Sequence, residues 1–217
     1  MPYITLDHQQ YPSWCELTRY DILGLGSGQS VDITWTAPQC KLVVVRGQVT
    51  IGSNPLETGA VHDAPRDLPE PGRHHTISAG TGGAVIVSLQ GTWGEHTGGS
   101  GVFIVTETAD PVNRGDPADY PRNTSFDNHF HDCDEYWIIV EGAGQAVSEG
   151  TIRQVQAGDC VITGAGDHHD FPLVTTPVRA VFFETTLLGE QRQGHLWEHT
   201  HGPATPLRPS PDTGGIR

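Results

Sequence analysis

The chain has 217 residues, enough for one large or two small domains, and its 27 glycines, 16 prolines and 35% hydrophobic content suit many short strands joined by turns better than long helices. Twenty-six acidic residues against 12 basic ones leave a formal charge of −14, which argues against nucleic acid and anionic membrane surfaces as partners. No apolar run approaches the length of a membrane span, and the first residues lack the basic and apolar regions of a signal peptide, so a cytoplasmic protein is expected.

Residues 1–27 mix polar and aromatic side chains with little pattern and read as an arm and an edge strand. From residue 28 the pattern sharpens: 30–35, 41–47, 48–51 and 84–89 are strands rich in branched residues, whereas 62–73, with Pro65, Pro69 and Pro71, is a loop. The run Gly98-Gly-Ser-Gly marks a boundary, and 102–106 is another strand. Residues 107–127, carrying Pro111, Pro117 and Pro121, form a connection longer than a compact domain leaves without purpose. It leads straight into residues 128–142, the densest signal in the chain.

There His129, His131 and Glu135 stand at spacings of two and four before an apolar run that Gly142 ends. On an extended backbone, positions two apart share a face, so both imidazoles point the same way and a short turn brings the carboxylate to them. Two imidazoles and a carboxylate suit a borderline divalent ion with positions left open for water or substrate. Residues 158–170 read as strand, glycine turn and strand, with His168 and His169 opening the second strand. Residues 180–186 form a strand in which Glu184 interrupts an apolar run, a place where a carboxylate must be solvated, paired or turned to a polar cavity. The segment 191–202 gathers His195, Trp197, His199 and His201, and 203–217 is a tail rich in proline and glycine.

The two halves repeat weakly. With Gly47 matched to Gly142, residues 42–45 fall on 137–140, His75 falls on His169 after one added residue, and 84–87 fall on 180–183. At the donor positions the first copy has Thr34, Thr36 and Cys40 for His129, His131 and Glu135, so it should not hold a metal as the second does.

Residues 128–142, with two histidines, a glutamate after three intervening residues and a glycine after six more, together with the strand, glycine turn and histidine of 158–169, resemble the paired motifs of the cupin superfamily. Gly164 stands where that family usually has proline. The resemblance implies an all-β, antiparallel fold of two double-stranded β-helix (jelly-roll) units: residues 1–98 a degenerate cupin without a metal site, 99–189 an intact one, and 190–217 a His-rich segment and tail. It also implies His129, His131, Glu135 and His169 as ligands of one divalent transition metal ion (Fe, Mn, Zn or Ni), with His168 the rival for the fourth place.

Around these ligands, Glu184, Tyr136 and His199 are the candidate acid and base groups, and Arg122, Trp137 and His168 the candidate substrate contacts. The leading expectation is an enzyme acting on a small oxygen-rich metabolite, a sugar or a hydroxy or oxo acid, by metal-assisted proton transfer of the isomerase, epimerase or lyase type. An Fe(II) dioxygenase and a non-catalytic binding cupin are the alternatives, and an exposed β edge offers a route to a homodimer. Cys15, Cys40, Cys133 and Cys160 lack scaffold spacing and should be thiols; Cys133, between two ligands, reads first as a small buried thiol. Lys41, the sole lysine, leaves arginine as the main source of anion recognition.

Overall fold

A computed structural model describes residues 1–64 and 73–187. His199 and the whole 190–217 segment lie outside the described residues, as do residues 65–72 of the expected loop. Twelve strands and no helix occur among the described residues: β1 (Tyr3–Thr5), β2 (Leu17–Leu25), β3 (Ser30–Trp35), β4 (Gln39–Ile51), β5 (Asn54–Glu57), β6 (Val61–Asp63), β7 (Arg73–Gly91), β8 (Thr97–Val105), β9 (Glu135–Ser148), β10 (Thr151–Gln156), β11 (Asp159–Thr163) and β12 (His169–Thr186). Among the described residues no helix is long and apolar enough to cross a membrane.

The chain divides into two compact units. The earlier comprises Gln9–Trp93 with Ser100–Val102; the later comprises Met1–His8, Gly94–Gly99 and the residues from Phe103 onward. The earlier sheet runs β2-β7-β4-β5, with β3 also on β7 and β6 also on β4. The later runs β1-β11-β9-β12-β8, with β10 on β9. The paired strands are antiparallel, so neighbours in sequence can join by short turns.

Each unit is built on one long bent strand paired with another, β4 with β7 and β9 with β12. The bends fall at glycines with positive φ, Gly47 (81°) and Gly142 (83°). A Cβ on Gly47 would lie 2.2 Å from the Gly83 carbonyl oxygen, and one on Gly142 would lie 2.0 Å from that of Pro177, so both the conformation and the close backbone approach demand glycine. Beside each glycine the pairing register shifts, and a long strand can thereby wrap around its own core.

The earlier core is apolar, with Leu25, Ile33, Trp35, Leu42, Val44, Ile77 and Ile86 buried together. Strand alternation turns Ile33 and Trp35 inward and leaves Thr34 and Thr36 exposed. The pairing sets Ile33 opposite His75, and Thr34 opposite His74 with its Oγ1 2.9 Å from His74 Nδ1. The Trp35 ring fills the interior, 4.4 Å from the His75 ring, with its indole N–H donated to Ser88 Oγ at 3.2 Å. The threonines therefore face solvent and do not replace imidazoles within a site.

The later core contains Trp137, Ile139, Phe171, Val178 and Ala180. Gly98, Gly99 and Gly101 lie inside β8, and a division between the two units falls within this run, between Gly99 and Ser100. The reason at Gly98 is close packing: an added Cβ would be 2.4 Å from Glu184 Oε2, 2.7 Å from Glu184 Cβ and 3.1 Å from Cys133 Sγ.

Candidate metal centre

The connection before the first donors is tied down along its length. Asn123 and Thr124 donate their backbone N–H groups to the Pro172 carbonyl (2.8 and 3.2 Å), and Thr124 Oγ1 donates to that of Phe171 (2.6 Å). Gly115 packs so closely on the Asn128 carbonyl that a Cβ would sit 2.0 Å from its oxygen, and Asp116 N donates to that oxygen at 2.7 Å. His129 then meets the first residue of β12 in an isolated bridge, with His129 N to His169 O at 3.1 Å and His169 N to His129 O at 2.8 Å. Two donors from distant parts of the sequence are thus held in register by main chain.

After His131 the chain turns. The His131 carbonyl receives Gly166 N at 2.7 Å, Asp134 Oδ1 receives Ala165 N at 3.0 Å, and the Asp134 carbonyl receives Thr185 N at 2.9 Å. Glu135 then opens β9. The result brings one ligand atom from each of His129, His131, Glu135 and His169 within 4.8 Å of the others. Among the described residues no second group of histidine, cysteine and acidic side chains converges in this way.

Hydrogen bonding fixes which way two of the rings face. His129 Nδ1 lies 3.0 Å from the Asp127 carbonyl oxygen, and His169 Nδ1 lies 2.9 Å from that of Asp167. A carbonyl only accepts, so both Nδ1 atoms carry the proton and both Nε2 lone pairs face the cluster. Glu135 Oε2 sits 2.8 Å from His169 Nε2 and 3.3 Å from His131 Nε2. All three atoms are buried, and none makes a well-directed hydrogen bond. Lone pairs converging in a dry site repel unless a cation lies among them, so the donor set fits a divalent ion.

Electrostatics distinguish His129 from His131. Burial, reinforced by the neighbouring His169, holds His129 well below the usual imidazole range, so it is neutral and fit to ligate. At His131 burial pulls downward, but the hydrogen bond with Cys133 and the close Glu135 carboxylate outweigh it and hold the ring well above that range. Glu135 lies well below the usual carboxylate range, because His131 and His169 overcome the penalty of burial.

Glu184 on β12 is 2% exposed, and its Oε1 lies 3.8 Å from His131 Nε2, beside the four donors. Trp137, two residues beyond Glu135 on the same face, stands with its ring 5.3 Å from that of His169 and packs against Phe103, Phe126 and Phe171, an aromatic wall next to the cluster. Tyr136 is on the opposite face of β9, fully buried, with its ring stacked on Phe183.

His168, anticipated at the substrate, instead faces away from His169, as successive residues of an extended chain must. Its rings atoms meet Asp116 at 3.1 Å and Glu149 at 3.3 Å, and it lines a cleft of about 220 Å³ with Tyr120 and Asn128. Glu149 has a φ of 45°, the one non-glycine residue with positive φ among those described. Its carboxylate accepts the His168 backbone N–H at 2.6 Å, which helps hold the turn in that conformation. Arg122 reaches inward to Asp170, with its Nη2 donating to Oδ2 at 2.6 Å and its Nη1 donating to the Phe126 carbonyl at 2.7 Å.

Sequence spacing did not reveal the roles of Gly98 and Asp170. Asp170 is fully buried and accepts from Tyr120 Oη at 2.8 Å as well as from Arg122. Its place next to His169 and the two donors within a proline-rich connection were the available signals. Because a methyl group at Gly98 would overlap Glu184, Gly98→Ala is expected to lower unfolding free energy by about 1–3 kcal/mol, the usual penalty for overpacking. A denaturant titration matching the unsubstituted protein would refute that packing argument.

An antiparallel all-β jelly roll holding a cluster of three histidines and a glutamate, all buried but His129, defines a cupin-fold protein. The chain belongs to one family with the uncharacterized protein y4oW of Sinorhizobium fredii, to which it is 44% identical over 200 residues, 90% of each chain. No protein-family model matches it. Among solved structures, a single-residue variant of Bacillus subtilis oxalate decarboxylase overlays 86% of this chain and 73% of its own with a TM-score of 0.52 at 12% identity. Vicilin from hazelnut (Corylus avellana) overlays 81% and 77% with a TM-score of 0.50 at 10% identity.

Proposed function

We propose that the later unit binds one divalent transition metal ion through His129, His131, Glu135 and His169, and that the protein is an enzyme moving a proton on a small oxygen-rich metabolite such as a sugar or a hydroxy or oxo acid. The reaction would be of the isomerase, epimerase or lyase type. The observation that carries this reading is the buried carboxylate of Glu184, 3.8 Å from His131 Nε2 and outside the four-donor set. A bound ion polarises carbonyl or hydroxyl oxygens of the substrate and stabilises negative charge developing on them. Glu184 is placed to take or return the proton at the adjacent carbon. Trp137, Phe103, Phe126 and Phe171 keep water from one side of the site.

Mn(II) centres are named for the oxalate decarboxylase that shares the fold, which supports a divalent ion here without choosing its identity. The same positive φ at Gly47 and Gly142, with Trp35 inside the earlier unit, supports a bicupin whose first copy is degenerate.

Metal analysis of protein purified without a chelating tag should find about one transition ion per chain. None after resupply under reducing conditions would defeat the proposal. With a panel of sugars and oxo acids, solvent deuterium should enter recovered substrate without oxygen uptake, whereas oxygen consumption with iron restored would make the protein a dioxygenase. Glu184→Gln is expected to slow turnover by roughly 100-fold or more, the range for a lost acid or base, while leaving metal affinity nearly unchanged. Equal turnover would remove Glu184 from the proton transfer.

A further inference from the structure

The three histidines of the cluster share a pattern with one exception. Each has its Nδ1 held by a group two residues away in sequence: Asp127 O for His129 at 3.0 Å, Asp167 O for His169 at 2.9 Å and Cys133 Sγ for His131 at 3.7 Å. Two of the partners are carbonyls, and the third is a thiol.

We infer that Cys133 is a positioning residue, whose sulfur accepts the Nδ1 proton of His131 and thereby keeps the Nε2 lone pair of that ring turned toward the metal. The inference rests on the proposed metal site and assigns its third histidine an orienting partner. A thiol can donate or accept. If Cys133 donated to Nδ1, the proton of a neutral His131 would sit on Nε2 and close the lone pair to a cation, so ligation requires the sulfur to accept.

The fold explains why a side chain takes this place. The chain turns sharply between His131 and Glu135, the His131 carbonyl receives Gly166 N, and the Asp134 carbonyl receives both Thr185 N and Thr185 Oγ1 (3.1 Å). Cys133, only 1% exposed, supplies the acceptor from inside the turn. Its surroundings are shaped to keep the sulfur there, since a Cβ on Gly98 would lie 3.1 Å from Sγ and 2.4 Å from Glu184 Oε2. The missing side chain of Gly98 makes room for the orienting thiol and the carboxylate together. A serine hydroxyl has a shorter bond to Cβ and reaches less far toward the ring, so it is a poor substitute despite its polarity.

The test measures binding of Mn(II) and of Co(II), each to the full chain, by competition with a chelator, with the visible absorption of the Co(II) form as a second readout. Cys133→Ala is expected to weaken affinity for both ions by about 10- to 100-fold, the range for losing a partner of a ligating histidine, and to shift the Co(II) bands. Cys160→Ala, which empties another buried thiol site, should bind within about twofold of the unsubstituted protein; this sets the scale for a cavity alone. Circular dichroism checks folding, and if Cys133→Ala does not fold, Cys133→Ser is measured in the same way and should also bind more weakly. Affinity within about twofold and an unchanged Co(II) spectrum in the folded variant would overturn the positioning role while leaving the metal site standing. Failure of the unsubstituted chain to bind either ion would instead overturn the site, and the inference with it.

Discussion

His169→Ala is expected to cost the later unit its metal while leaving its strands paired. A four-donor protein site for a divalent ion is worth on the order of 10–16 kcal/mol, so one donor accounts for roughly 2.5–4 kcal/mol, or about 100-fold or more in affinity. The substitution isolates this effect unusually well, because the bridge between residues 129 and 169 is made by backbone N–H and carbonyl groups that alanine retains. Removing the imidazole also removes its ring contacts with Trp137, His129 and His131. A cavity penalty of a few kcal/mol therefore accompanies the loss of affinity. Denaturation of the metal-free proteins measures that penalty, and chelator competition on folded protein measures the donor. A second consequence is that added metal should raise the melting temperature of the unsubstituted protein far more than that of the variant, since a ligand stabilises only as far as its concentration exceeds its dissociation constant. Equal metal-induced shifts would mean that His169 is no ligand and that another group closes the site.

The donors were legible in the sequence because their relation is local. Two histidines two apart share a face through backbone geometry, a short turn brings round the carboxylate four further on, and the structure gathers all three with His169. Glu184 was legible for a related reason, as a charge inside an apolar strand. Legibility failed where a long-range contact decides a residue's role. The Gly98-Gly-Ser-Gly run reads as a boundary in one dimension, and nothing in it announces a strand whose first glycine is packed against Glu184 and Cys133. The Thr34 and Thr36 comparison failed through phase: a slip of one residue in a strand exchanges its faces, and the pairing puts Ile33 and Trp35 inside. Trp137 shows the opposite case, since its place two residues beyond Glu135 fixes its face whatever it packs against. Arg122 is separated from Asp170 by 48 residues, a distance over which no spacing rule operates.

That ion pair carries the second large effect. Arg122 is 12% exposed at its side chain and Asp170 is 0% exposed, so each charge depends on the other and on the carbonyl and phenol nearby for the solvation that burial has taken away. Burial outweighs the help of Tyr120 and Arg122 and leaves the Asp170 carboxyl above the usual range, which shows how costly its charged form is even when partnered. Arg122→Ala should accordingly destabilise the later unit by about 3–5 kcal/mol, the range for stranding one member of a buried pair. Asp170→Leu alone strands the guanidinium. The double variant Arg122→Met with Asp170→Leu strands neither charge and is expected to recover part of the loss, the non-additive result of two residues acting as a unit. Denaturant midpoints followed by tryptophan fluorescence would measure the series, with Trp137 reporting on the later core. Metal affinity should fall modestly in Arg122→Ala, because the pair fastens the connection that leads into His129. The competing role, recognition of a substrate carboxylate or phosphate by Arg122, predicts the reverse pattern: a raised KM with stability unchanged. Strictly additive losses in the double variant, or an Arg122→Ala protein as stable as the original, would reject the structural role of the pair and return Arg122 to the candidate substrate contacts.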